Sequence, residues 1–185
     1  MGKLIMVTGG ARSGKSSYAE DTAKKLGDNI LYIATSIPFD EEMKQRIRKH
    51  REQRPAGWET VEAYRDFGFH LEGKLEGKSA VMLDCITIMV SNLMFETNRD
   101  WDNMDTVEMD NVEKQVTAEI QKLVSLIRAS DIPFILVTNE IGMGIVPENV
   151  LSRLFRDIAG RVNQLLARAS DEVYLCISGI PVRIK

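Results

Sequence analysis

Histidine and cysteine are scarce in this chain: two of each, His50, His70, Cys85 and Cys176, in 185 residues. Two cysteines offer no disulfide framework and suit a reducing compartment. No cluster of Cys and His has zinc-site spacing, so chemistry that needs imidazole falls to His50 or His70. Basic charge is not in excess either. Lys and Arg number 24 against 27 Asp and Glu, a net charge of −3, which argues against a general grip on nucleic acid. Long apolar runs are missing. The opening MGKLIMVTGG has one lysine and a short apolar run, too brief for a signal peptide or a membrane span. Met6 stands where N-myristoylation wants Ser or Thr. A cytoplasmic protein without stable membrane insertion is expected. Internal repeats and low-complexity segments are also absent.

What is present is an ordinary globular composition, 44% hydrophobic and 28% charged, too apolar for disorder. One domain takes roughly 100–200 residues, so residues 1–185 are expected to form a single domain with its own core. Short, β-rich apolar runs at 3–8, 30–35, 80–85, 133–138 and 172–178 read as strands covered on both faces. A stretch at 181–185 follows Ser178–Gly179 closely and reads as a hairpin partner at the sheet edge. Between the runs, helical patterns occupy 13–26, 40–53, 105–129 and 148–169. The alternation implies an α/β fold with a mostly parallel sheet, helices on both faces and a C-terminal hairpin strand. Ligands in such sheets sit beyond the carboxyl ends of the strands.

After the first run comes GGARSGKSS, in which Gly9, Gly14, Lys15 and Ser16 fit G-x-x-x-x-G-K-[ST]. Glycines let backbone N–H groups turn toward phosphate oxygens, and the helix that follows adds its N-terminal partial charge. Lys15 is placed to reach the outer phosphates and Ser16 to bind Mg²⁺. Position between a strand and a helix is the context that separates a P-loop from a chance match. Asp84, at the end of AVMLD, is a candidate second magnesium ligand; a cap for the segment beginning near Ile86 is the plainer alternative.

The segment after the second run is heavily charged. Glu42, Arg46, His50 and Arg54 recur at i, i+4 on one helix face. Arginines around His50 favour the neutral, nucleophilic imidazole and suit phosphate recognition; by spacing alone a solvated helix with an incidental histidine is the alternative. His70 has no such company and reads as a surface or packing residue.

Taken together, VTGGARSGKS, LYIATS, R-I-x-x-H-R with RPAGWETVE, LDCIT, LVTNEIGMGIVPEN, FRDIAGRVNQ and SGIPVRIK carry a resemblance over essentially the whole chain. The chain resembles the bifunctional adenosylcobinamide kinase / adenosylcobinamide-phosphate guanylyltransferase family of cobalamin biosynthesis. The resemblance implies a RecA-like P-loop NTPase fold and a homotrimer. It implies phosphorylation of adenosylcobinamide, with ATP or GTP as donor. It also implies transfer of GMP from GTP to the resulting phosphate through a guanylyl-histidine, giving adenosylcobinamide-GDP and pyrophosphate. The family histidine matches His50. Family nucleotide contacts carry over to Gly9, Gly10, Ala11, Arg12, Ser13, Gly14, Lys15 and Ser16; to Ala34, Thr35 and Ser36; to Arg51, Glu52, Gln53 and Arg54; and to Glu62 and Asp84. Two departures stand out. Lys49 precedes His50 where some members have a second histidine, and Asp84 stands where some have Glu.

On this reading His50 and Lys15 are catalytic, Arg51 and Arg54 stabilise developing phosphoryl charge, and Ser16 and Asp84 hold the metal. Glu140, just past the 133–138 run, is a candidate base for the kinase step and equally a turn residue. Arg153, Arg156 and Arg161 are read as phosphate or subunit contacts or as a solvated face, and Trp58 and Trp101 as packing residues. A P-loop small-metabolite kinase without a covalent intermediate, and a nucleotide-gated binding or assembly module, are the competing functions.

Overall fold

The computed structural model describes residues 2–36, 57–96, 99–101 and 103–185. The expected helix at 40–53, and with it His50, Arg51, Glu52, Gln53 and Arg54, lies outside the described residues. Seven strands form one sheet in the order β3-β2-β4-β5-β1-β6-β7. They are β1 (Leu4–Gly9), β2 (Ile30–Ala34), β3 (Glu59–Glu62), β4 (Ala80–Asp84), β5 (Phe134–Val137), β6 (Glu172–Ile177) and β7 (Ile180–Arg183). All neighbours pair in parallel except β6 with β7. The near-continuous apolar runs are the interior strands: every residue of β1, β2 and β5 is buried.

The helices are α1 (Lys15–Leu26), the short α2 (Phe67–His70), α3 (Ile86–Phe95), α4 (Thr106–Ala129) and α5 (Val150–Ala169). On one face of the sheet α1 packs through Ala19 and Ala23 against Ile5, Val7, Tyr32, Met82, Ile135 and Val137. The other face is covered by α3, α4 and α5. There Val112, Val116, Ile120, Leu123 and Ile127 form the buried stripe of α4, and burying each contributes about 1.5–3 kcal/mol. Asp105 opens α4 with a reciprocal capping box to Glu108, and Asn149 caps α5 by accepting from Ser152 N at 3.0 Å.

Several expectations need correction. The helix expected from residue 13 starts at Lys15, because Gly14 is left-handed at φ +86°. The helix expected from 148 starts at Val150, after its Asn149 cap. Strand β3 was not read from the sequence: ETVE is short and only Val61 is buried, as befits an edge strand. Helix α3 was read only as a segment beginning near Ile86. It is apolar nearly all round, so no amphipathic stripe marks it. The hairpin was read correctly: Ser178 and Gly179 have φ of 51° and 83°, a two-residue turn with both φ positive.

Chain direction explains where a ligand can enter. From β1 the chain passes along α1 to β2, beyond β5 and β4. It later crosses back over β1, from β5 through α5 to β6, on the opposite face. The carboxyl end of β1 is therefore a switch point of the winding. At the other end of the sheet, Arg128 and Asp171 tie the elements together. Arg128 donates to Gly2 O (3.0 Å) and Asp171 Oδ2 (2.8 Å), and Asp171 Oδ2 also accepts from Leu4 N (2.7 Å).

Candidate active site

The loop at residues 10–14 joins buried β1 to α1. A Cβ on Gly9 would stand 2.5 Å from both Cys176 O and Ser13 Oγ, so the strand exit admits only glycine. A Cβ on Gly14 would lie 2.9 Å from Gly179 Cα. That contact and the 3.0 Å bond from Gly179 N to Ser13 O seat the β6–β7 turn directly against the loop. Lys15 Nζ donates across the loop to Gly10 O at 3.0 Å. Tyr18 N donates to Gly14 O, the first bond of α1. Ala11 and Arg12 are exposed at the tip.

Two buried hydroxyls here, Thr8 Oγ1 and Ser13 Oγ, have no hydrogen-bond partner among the described residues. A buried hydroxyl without a partner costs free energy unless a ligand completes it. A glycine-rich turn at a helix N-terminus and a lysine ammonium together fit a phosphate chain.

Asp84 ends β4. Strand alternation puts it on the face of Ala80 and Met82, which α1 covers; Ser16 is the second residue of that helix. It is half-buried, and Tyr32 Oη donates to its Oδ2 at 3.3 Å; the Tyr32 ring in turn lies 6.4 Å from that of Trp58. No group of three or more acidic, His or Cys side chains that could hold a metal occurs among the described residues. One carboxylate with one hydroxyl suits Mg²⁺, which keeps waters and takes phosphate oxygens for the rest of its shell.

Both thiols are poorly suited to act as nucleophiles. Burial, aided by the negative charge of Asp84, pushes the Cys85 thiol up to about 12, and burial also raises Cys176.

The second group of expected contacts is set apart. Neighbouring strands are about 4.8 Å apart, so across the sheet the ends of β2 and β3 lie about 14 and 19 Å from β1. Ala34 O accepts from Ala63 N. The Thr35 side chain is 1% exposed. Its hydroxyl donates to Cys85 O and accepts from Cys85 N, both at 2.8 Å. Its N donates to Asp84 O and its O accepts from Asn92 Nδ2. Thr35 thus braces β2 to β4. Ser36 is half-buried just beyond it, and Glu62 is exposed at the end of β3.

The remaining candidates fall within the chain's own contacts. Glu140 N donates to Gly9 O at 3.0 Å, and its Oε1 accepts from Gly142 N. Arg161 pairs with Glu113 through Nε and Nη2, Arg156 pairs with Asp157, and Arg153 donates to Pro147 O. Trp58 and Trp101 pack against Tyr32 and Phe95. His70 packs edge-on against Phe69. Sequence reasoning missed Tyr32, Asn139 and the pair Thr87 and Asn163. Asn139 carried the same signal as Asp84, a polar residue closing an apolar run.

No helix of the described residues is long and apolar enough to cross a membrane. The crystal structure of the RadB recombinase superposes with a TM-score of 0.50 at 16% identity, covering 94% of this chain and 73% of that one. That likeness concerns the fold alone, a RecA-like P-loop NTPase sheet. In sequence, the chain is 48% identical over 184 residues to the bifunctional adenosylcobalamin biosynthesis protein CobU of Escherichia coli (strain K12), covering 98% of this chain and 99% of that protein. The protein of the same name from Salmonella typhimurium is 49% identical over 186 residues, with the same coverage. The family described as CobU, cobinamide kinase / cobinamide phosphate guanyltransferase, matches residues 5–184. With a match of that extent, this chain belongs to the cobinamide kinase / cobinamide phosphate guanyltransferase family.

Proposed function

We propose that this protein, as one catalytic domain, phosphorylates adenosylcobinamide and then transfers GMP from GTP to the phosphate. The observation that carries this reading is a P-loop and a strand-end carboxylate facing the same helix in a chain of this family. The nucleotide's phosphates lie along residues 9–16, with its base toward Ser36 and Glu62; Arg51 and Arg54 are assigned to the nucleotide by the family resemblance. Ser16 and Asp84 hold Mg²⁺, which neutralises phosphate charge when bound. For the kinase step, ATP or GTP gives up its γ-phosphoryl to the substrate hydroxyl. Lys15 and the loop amides position and stabilise the transferring group.

For the second step, His50 attacks the α-phosphorus of GTP. A P–N bond forms, the α–β bridging P–O bond breaks, and pyrophosphate leaves. A phosphate oxygen of adenosylcobinamide phosphate then displaces the histidine, giving adenosylcobinamide-GDP. Two displacements with a covalent intermediate predict ping-pong kinetics. A homotrimer is part of the proposal; Ile180 and Val182 of β7, and Ile184 just past it, are exposed, apolar surface of the kind subunit contacts cover.

The test incubates the protein with Mg²⁺ and GTP labelled at the α-phosphate, then denatures it. Acid-labile, alkali-stable label is expected on the protein, lost in His50→Ala and retained in His70→Ala. Absence of covalent α-label under turnover conditions refutes the guanylyl-histidine. Phosphorylated cobinamide without an adduct identifies a kinase alone.

A further inference from the structure

We infer that Asn139 is a phosphate-contacting residue, whose carboxamide donates to the γ-phosphoryl group of the nucleotide on the loop. The inference rests on the nucleotide reading above and adds a residue to that site.

The sheet order places β5 between β1, which feeds the phosphate loop, and β4, which ends in Asp84. A side chain just past β5 thus stands between Lys15 and the strand-end acid. Ladder bonds continue beyond the strand: Thr138 N donates to Val7 O and Glu140 N to Gly9 O, each at 3.0 Å. Asn139 follows Ile135 and Val137 in the alternation, on the face that α1 covers. Its Nδ2 lies 3.9 Å from Sγ of Cys85, the residue that follows Asp84.

The backbone of Asn139 is held by side chains rather than by a sheet partner. Asn139 N donates to Thr87 Oγ1 at 2.7 Å, and Asn139 O accepts from Asn163 Nδ2 at 3.0 Å. Thr138 Oγ1 donates to Asn163 Oδ1 at 2.8 Å. A hydroxyl has one hydrogen, so in the 3.2 Å contact between Thr87 and Thr138 the donor is Thr87. The bonds close into a ring, from the Asn139 N–H through Thr87, Thr138 and Asn163 back to the Asn139 carbonyl. Each donates in one direction, the arrangement in which hydrogen bonds polarise one another. Thr87 sits on α3 and Asn163 on α5, so two helices fix this one residue.

The carboxamide itself is little engaged. Among the described residues its one hydrogen bond is the long contact to a thiol, a weak acceptor. A rigidly held, half-buried amide with free donors, just past the strand next to the one that feeds the phosphate loop, suits an anion. Its place between the loop and Asp84 points to the outermost phosphate.

The test measures binding of fluorescent nucleoside tri- and diphosphates, with Mg²⁺, to the full chain. Asn139→Ala is expected to weaken the triphosphate about tenfold, the worth of a hydrogen bond to a charged group, and to leave the diphosphate within about twofold. Asn139→Asp keeps the shape and is expected to weaken the triphosphate more, because its charge opposes the phosphate. Equal loss of both nucleotides, or loss of neither, overturns the assignment, as does an Asp variant that matches the wild type. If Asn139→Ala does not fold by its urea transition, the near-isosteric Asp variant decides alone. Should the wild type bind neither nucleotide, or bind them unchanged in Lys15→Ala, the nucleotide site itself fails and this inference with it. The α-label on His50 is scored separately, so its absence leaves the Asn139 comparison standing.

Discussion

Replacing Gly14 by alanine tests whether the hairpin turn props the phosphate loop. Gly14 has φ +86°, and a residue with a Cβ pays about 1–2 kcal/mol in the left-handed region. The added carbon would also stand 2.9 Å from Gly179 Cα, a backbone atom that no rotamer can move aside. Relief means shifting the turn and losing the Gly179 N to Ser13 O bond, about 1 kcal/mol more. Together the cost is about 2–3 kcal/mol. Two variants separate the parts. Gly179→Ala has φ +83° but open space around its Cβ, so it carries the strain alone. Gly10→Ala has neither a clash nor a positive φ and stays within about 0.5 kcal/mol. Urea denaturation should rank Gly14→Ala below Gly179→Ala below Gly10→Ala. In thermal melts the first gap is about 2–4 °C, the shift expected per kcal/mol at this size. If Gly14→Ala costs no more than Gly179→Ala, or Gly10→Ala costs as much, the turn does not brace the loop.

Tyr32→Phe keeps the ring beside Trp58 but removes the donor to Asp84; Mg²⁺ titration of nucleotide binding is expected to need about fivefold more metal, about 1 kcal/mol. The Arg128 guanidinium, with the Leu4 amide, holds the Asp171 carboxyl below its ordinary 3.8. A lowered folded-state value gives stability that is present above about pH 4 and lost as pH falls further. Asp171→Asn should therefore flatten the acid limb of a pH-stability curve, by roughly 1 kcal/mol for a part-exposed pair. Cys85 and Cys176 are both buried, and thiolate is the reactive form. Alkylation at pH 8 should label neither until the protein unfolds, and rapid labelling of the folded chain counts against the burial described.

Much of this architecture was legible in sequence because buried parallel strands are uninterrupted apolar runs, as LIMV, ILYIA and FILV are here. Edge strand β3 was not: ETVE exposes all but Val61 and so looks like a loop. Helix α3 was missed for the opposite reason, since ITIMVSNLMF is too evenly apolar to display a stripe. Local spacing was enough to propose Lys15, Ser16 and Asp84. It was silent on Tyr32, Asn139 and Gly179, whose significance comes from pairing between residues far apart in the chain. Thr35 shows the converse. The resemblance proposes it as a nucleotide contact, and its bracing of two strands, through a buried hydroxyl bonded both ways to Cys85, shows only in the fold.

Strand β1 is made early and enclosed late. Leu4 pairs with Phe134 and Ile5 with Glu172, so a growing chain carries the loop sequence long before there is a sheet to hold it. Gly179, which props the loop, is made later still. Such distant pairings must bear the entropy of closing long loops before they gain anything, and they fold slowly. The loop can accordingly reach its closed geometry only after Gly179 has been made. A nucleotide bound only by the finished loop would favour the closed sheet by mass action.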